Sequence, residues 1–214
     1  NDTWMSDSGR RLYRKTESEF RLFEHRVGKD AATRDAALDA AARILSKGEV
    51  AVVGSGHSSV EEQFALNAIK DRLDAKSWVA PHVAEGDGLL ISADRSPNTR
   101  GALLTGLIDD VPYGSLESLA GAIGDGDVKR MLVIGEDLAE AGIDAATLKK
   151  AEIVYIGSEE NDTSRLAKVV IPSLTVFEKR GTFVNQAFRI QKFHAAVPGP
   201  AGVAADLRTL SDLA

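Results

Sequence analysis

Gly54, Gly56, Ser58 and Ser59 stand in the run Gly-Ser-Gly-His-Ser-Ser, between a β-branched apolar stretch and a helical pattern. In that setting glycines let backbone amides approach a pyrophosphate, and the helix N-terminus adds partial positive charge. Two parts of a dinucleotide fingerprint are missing. Ser59 stands where a third glycine belongs, and residues 77–80 offer no acidic side chain for a ribose hydroxyl. A tight strand-to-helix turn with a capped helix accounts for the run better than a nucleotide site does, because such turns recur throughout parallel α/β folds. His57, inside the loop, has the chemistry of a general base. The other histidines, His25, His82 and His194, show no ligand spacing.

Residues 94–101 hold a second candidate: Asp94, Arg95, Asn98 and Arg100 follow an apolar run, where open α/β sheets place ligand loops. Guanidinium and amide groups there can grip a phosphate or carboxylate, or knit the loop to a neighbouring subunit. The acidic neighbours Glu61 and Glu62, Asp109 and Asp110, and Glu159 and Glu160 are chemically able to do acid/base or metal work. All sit where helices begin or loops turn, so a solvated surface is expected of them. No catalytic residue and no metal ligand is assigned.

Composition narrows the classes. The 214 residues suffice for one large α/β domain, with or without a small appendage. There is no cysteine, which excludes disulfides, a thiolate nucleophile and a cysteine-ligated cluster, and fits a reducing compartment. A net charge of -6 argues against a surface built to neutralise nucleic-acid phosphates. No apolar run approaches the roughly 20 residues of a membrane span, and no signal-peptide pattern opens the chain. The first residue, Asn1, reads as the inside of a longer or processed protein.

The elements that must position these residues follow from periodicity. Apolar runs at 49–53, 77–80, 88–92, 130–134, 153–156 and 168–171 read as strands buried on both faces. Residues 30–46 read as a helix closed by Gly48. Ser59 and Glu62 form a capping box for a second helix, with Phe64, Ala65, Ala68, Ile69 and Leu73 on one face. Shorter helices are expected at 115–123, 145–151 and 163–167. A hairpin or extended excursion is expected around Asn185, and a last helix at 206–213. The fold class is therefore α/β: an open, Rossmann-like, doubly wound parallel sheet with helices on both faces and a C-terminal extended segment.

A family likeness emerges from the later motifs. Ala167, Val169, Val170 and Pro172 are followed by Glu178, Lys179, Gly181, Thr182 and Asn185, then by Arg189 and Gln191. Upstream lie Asn98 and Gly101, the run MLVIGED at 131–137, and the run WMSDSGR at 4–10; PGPAG at 198–202 precedes Asp206. In order and spacing the chain resembles the molybdopterin-oxidoreductase-like domain of the G subunit of NADH:quinone oxidoreductase. It departs in three places. Lys168 stands for the family's Asp, Ala187 and Phe188 for Glu-Gly, and Ser6 for the last cluster-ligating cysteine. A serine hydroxyl is a poor substitute for thiolate at iron.

The resemblance implies a remnant of an iron-sulfur domain at 1–14, the α/β domain at 15–175, and an extension at 176–214 packing on it. It implies a structural, non-redox domain on the cytoplasmic side of the inner membrane, among other subunits of the peripheral arm. Iron-sulfur clusters would sit in adjacent domains and no cofactor in this chain; nucleic acid and direct membrane insertion are not expected. The alternatives are a stand-alone nucleotide-binding module built on Gly54, Gly56, Ser58 and Ser59, and a fragment of a molybdopterin-dependent oxidoreductase.

Overall fold

A computed structural model describes residues 7–87, 89, 91–111 and 116–214. The chain enters through a short helix α1 (Asp7–Arg11), a 3-10 turn (Leu12–Glu17) and two three-residue strands, β1 (His25–Val27) and β2 (Asp30–Ala32). Helix α2 (Arg34–Leu45) leads to β3 (Val50–Ser55), α3 (Val60–Arg72) and β4 (Lys76–Ala80). After α4 (Thr99–Leu104) and α5 (Glu117–Asp125), three further strands alternate with short helices: β5 (Arg130–Ile134), α6 (Ala145–Leu148), β6 (Glu152–Gly157), α7 (Asp162–Leu166) and β7 (Val169–Pro172). The chain closes with a hairpin, β8 (Gly181–Val184) and β9 (Ile190–Phe193), and helix α8 (Asp206–Leu213).

The main sheet runs β2-β1-β7-β6-β5-β3-β4, with β3 to β7 parallel and β1 antiparallel to both its neighbours. Counting only the parallel strands, this is the 2-1-3-4-5 order of a doubly wound sheet, with its switch point between β3 and β5. Burial explains the composition of the strands. Val50 and Val52, Leu132 and Ile134, Val154 and Ile156, and Val169 and Ile171 face the core beneath α2, α3 and α8. Their alternates, Ala51 and Val53, Met131 and Val133, Ile153 and Tyr155, and Val170, face the core beneath α5 and α6. Strands covered on both sides read as unbroken apolar runs. The segment from 176 onward packs back on this body: β8 meets α3 and α4, and α8 lies against α2 and α3.

Three expectations require correction. The first helix begins at Arg34, not at residue 30: Thr33 caps it by accepting a hydrogen bond from the Ala36 amide at 3.2 Å, and residues 30–32 pair instead with β1. The face proposed for α3 is rotated. Glu62, Gln63, Leu66 and Ile69 are its buried residues, while Phe64 is 65% exposed. Packing of α3 against α4, β8 and α8 covers a side that periodicity assigned to solvent. The strand expected at 88–92 does not form among its described residues, Gly88 and Leu90 lying outside them. There Asp87 Oδ1 accepts from the Leu89 and Ile91 amides at 2.9 and 2.7 Å, diverting into a turn donors that a ladder would need.

Candidate functional site

Loops after β3, β4 and β5 rim a cleft of about 860 Å3 at the carboxyl end of the parallel sheet. This is the switch point, where ligands of doubly wound sheets bind. Three polar side chains converge there. β3 ends at Ser55, β4 at Ala80 and β5 at Ile134, and two residues beyond each end stand His57, His82 and Glu136. The rings of His57 and His82 meet edge to face, with centroids 4.9 Å apart. His82 Nε2 lies 2.8 Å from Glu136 Oε2. The hydrogen bond to Glu136 holds the His82 pKa above the usual imidazole value, against desolvation. Desolvation by the surrounding protein pushes His57 the other way, although Glu136 partly opposes it.

The glycine loop beside this cleft is closed by the protein itself. A Cβ on Gly56 would meet Ser96 Cβ at 2.5 Å, so the loop is pressed against residues 96–99. At the head of α3 the capping box is complete: Ser59 Oγ accepts from the Glu62 amide at 3.2 Å, and the Ser59 amide donates to Glu62 Oε2 at 2.7 Å. Glu61 accepts from the Thr182 amide and hydroxyl at 3.0 and 2.7 Å. Burial works to raise the pKa of Glu61, but these hydrogen bonds prevail and hold it below the ordinary carboxylate value. Two carboxylates thus neutralise the helix end, and a strand is laid across it. An anion such as the pyrophosphate of a pterin dinucleotide would find the Ser59 amide already taken by Glu62, with Glu61 beside it holding Thr182.

The residues of the C-terminal motif are the clamps that lay this strand down. Glu178 binds Arg21 at 2.6 Å and accepts from the Thr175 amide and hydroxyl at 2.7 and 2.9 Å. Lys179 reaches Glu62 at 2.8 Å and Asp206 at 2.6 Å, tying the heads of α3 and α8 to the hairpin. Burial pushes the Glu62 carboxyl upward in pKa, with Lys179 opposing; the two carboxylates hold Lys179 well above the ordinary ammonium value despite its burial. A Cβ on Gly181 would come within 2.6 Å of Ser59 Cβ, so only glycine allows this approach. Asn185 Oδ1 accepts from the Ala187 and Arg189 amides, both at 3.0 Å, and so folds the hairpin turn. The side chain of Arg189 is exposed.

Asn98, fully buried, donates to Ser58 O at 2.7 Å and to Gln63 Oε1 at 3.0 Å, and accepts from the Val184 amide at 2.6 Å. A side chain at Gly101 would collide with Gln63 Oε1 at 2.6 Å, which explains the spacing of Asn98 and Gly101. Arg100 pairs with Asp94 at 3.4 Å, its guanidinium 6.0 Å from the centre of the Phe188 ring. Phe188 adopts φ 56°, the left-handed conformation that suits the family's glycine at this place.

The sequence-level candidates therefore divide. Gly54 packs against Leu66 and Leu107 in the core; Gly56, Ser58, Ser59 and Asn98 are joined in one buried network; Arg100 borders it. His57 faces the cleft from the other side. The expectation of a solvated Glu61 and Glu62 is overturned for Glu62, which is buried beneath Lys179 and Asp206. Asp109, Asp110 and Glu160 are exposed, and Glu159 pairs with Lys15 at 3.2 Å. His82, which shows no ligand spacing in the sequence, and Glu136, 54 residues away, come together only in the folded chain. The available signal was their common place just past the ends of apolar strands. Ser6 lies outside the described residues. No described helix is long and apolar enough to cross a membrane.

A doubly wound α/β domain whose switch-point cleft is walled by a C-terminal hairpin is the class these features define. Residues 16–214 match the molybdopterin oxidoreductase family. The chain belongs to that family. It is 32% identical over 114 residues to a nitrate reductase of Symbiobacterium thermophilum, a match covering 51% of this chain and 15% of that much longer protein. Its fold is similar to a chain of the formyltransferase/hydrolase complex (FhcABCD) of Methylorubrum extorquens, whose structure was solved with methylofuran. There the TM-score is 0.57 at 13% identity, over 88% of this chain and 97% of the other, a likeness of fold alone.

Proposed function

We propose that this chain is a structural, non-redox domain of the G subunit of an NADH:quinone oxidoreductase, binding no pterin itself and supporting electron transfer by neighbouring iron-sulfur domains. The observation that carries the reading is the closed head of α3. Glu61, Glu62, Lys179 and Thr182 occupy it with one another, so this dinucleotide-binding geometry is devoted to holding the hairpin. The absence of cysteine from the chain removes the thiolate that a molybdenum or iron centre would recruit. The order of the motifs from residue 4 to residue 206 supports the particular subunit. In this reading the exposed Phe20, Phe23, Phe64 and Leu104 belong to surfaces shared with other subunits of the peripheral arm, on the cytoplasmic side of the membrane.

The test is affinity purification of the chain from its own cells, with mass spectrometry of what accompanies it and elemental and pterin analysis of the chain after separation from its partners. Co-purification with flavin- and iron-sulfur-containing subunits and negligible molybdenum is the expected result. Stoichiometric molybdenum with an oxidised-pterin fluorescence signature would overturn it. That outcome would favour the second reading, a piece of a molybdopterin-dependent oxidoreductase, to which the partial match with nitrate reductase lends support.

A further inference from the structure

We infer that His57, His82 and Glu136 form a divalent transition-metal site of the zinc type, with its fourth position open to the cleft. Among the described residues these three bring one ligand atom each to within 4.8 Å of one another. Four ligands arranged tetrahedrally around zinc at about 2.0–2.1 Å are separated from one another by about 3.3 Å. The pair His82 and Glu136 is already closer than that, at 2.8 Å. Closing the remaining gap, from 4.8 Å to about 3.3 Å, takes a movement of about 1.5 Å by His57, whose ring is in the cleft and not locked in the core.

The second observation is independent of the cluster's composition. Glu136 is 4% exposed, and its Oε1 is buried without a hydrogen-bond partner. A carboxylate oxygen left bare in the interior costs about 1–3 kcal/mol or more, so proteins supply it with a donor or a cation. Here the oxygen belongs to the side chain that already holds His82. The backbone supports the same conclusion, since β3, β4 and β5 are adjacent in the sheet and release their ligands at the same distance past their ends. Ser55 pairs with Ala80 and Val53 with Val133, so β3 and β4 end level, β5 ends one residue short of them, and all three ligands leave the same end of the sheet. Asp94 and Glu140 add negative field at His82, while Lys15 opposes at His57 and is itself paired with Glu159.

Two imidazoles and one carboxylate with an open position are the ligand set of a zinc centre that binds solvent or an anionic ligand at its fourth site, and they are too few and too hard to select molybdenum or iron-sulfur chemistry. The ion would clamp three strand ends at the mouth of the cleft. The inference does not depend on the subunit assignment above, because it rests on residues that the hairpin network does not use.

The test uses the purified, tag-free chain and metal alone. Calorimetry with ZnCl2 is expected to show one Zn2+ per chain, and CoCl2 to give the visible d–d absorption of a tetrahedral cobalt centre. His57→Ala, which removes only a cleft side chain, and Glu136→Gln should each weaken zinc binding at least about tenfold. His194→Ala, in the exposed tail, should leave it unchanged. Circular dichroism checks that the variants are folded, and His57→Ala alone suffices if Glu136→Gln is not. No saturable zinc binding at millimolar metal, or binding that survives His57→Ala unaltered, would overturn the assignment.

Discussion

Lys179 is the residue on which the closure of the cleft wall depends, and Lys179→Met removes its charge while keeping most of its length. Its side chain is 9% exposed, and those of Glu62 and Asp206 are 3% and 6% exposed, at 2.8 and 2.6 Å. Deleting one partner of a buried ion pair leaves uncompensated charge in the interior and costs about 3–5 kcal/mol. At about 2–4 °C per kcal/mol for a chain of this size, the melting temperature should fall by about 10 °C at pH 8. The loss has a pH signature. Without the lysine the two carboxylates face each other, so one retains a proton in the folded chain that it would release on unfolding. The folded state then binds more protons than the unfolded state, and stability falls as pH rises above the ordinary Glu62 value of 4.5. At pH 5 the deficit relative to the parent should accordingly be smaller by more than about 1 kcal/mol. Glu62→Gln added to Lys179→Met should restore part of the loss at pH 8. Thermal melts and urea titrations, both followed by far-ultraviolet circular dichroism, measure all of this. A deficit below about 1 kcal/mol at pH 8, or one independent of pH, would refute the view that this trio is a buried ion-paired clamp.

Two further substitutions test the same wall. Asn98→Ala should destabilise the chain by about 2–4 kcal/mol in urea titration, because the Val184 amide and the Ser58 carbonyl lose their buried partner together. Phe188→Gly should leave stability unchanged or raise it by up to about 1 kcal/mol, since glycine relieves the φ of 56° at the expense of the ring's contact with Arg100; a loss above 1 kcal/mol in the same assay would show that the contact outweighs the backbone strain.

Much of the architecture was legible in the residues themselves. The runs at 49–53, 130–134 and 153–156 announced strands because a parallel sheet sandwiched between helices needs apolar side chains on both faces, and a local pattern reports that directly. The Ser59 and Glu62 capping box was readable for a similar reason, its hydrogen bonds spanning only three residues. Helix α8 and the excursion around Asn185 were visible through turn chemistry and periodicity. Short, exposed edge strands such as β2 carry no such signature, and α4 was hidden in a loop read for its charges. The motif residues Glu178, Lys179 and Gly181 could be recognised in the sequence but not explained from it.

Their explanation lies in Arg21, Glu62 and Asp206, groups up to 157 positions distant that only the folded chain brings alongside. The rotation of α3 has the same origin. A helix packed by a sheet, a hairpin and a second helix buries sides that its own 3.6-residue period assigns to water, and even buries a glutamate when a lysine from another element neutralises it. The convergence of His57, His82 and Glu136 depends on strand order. Local sequence decides that each follows a strand, but the packing of crossover helices decides that β5, β3 and β4 are neighbours, and with that whether the three side chains ever meet.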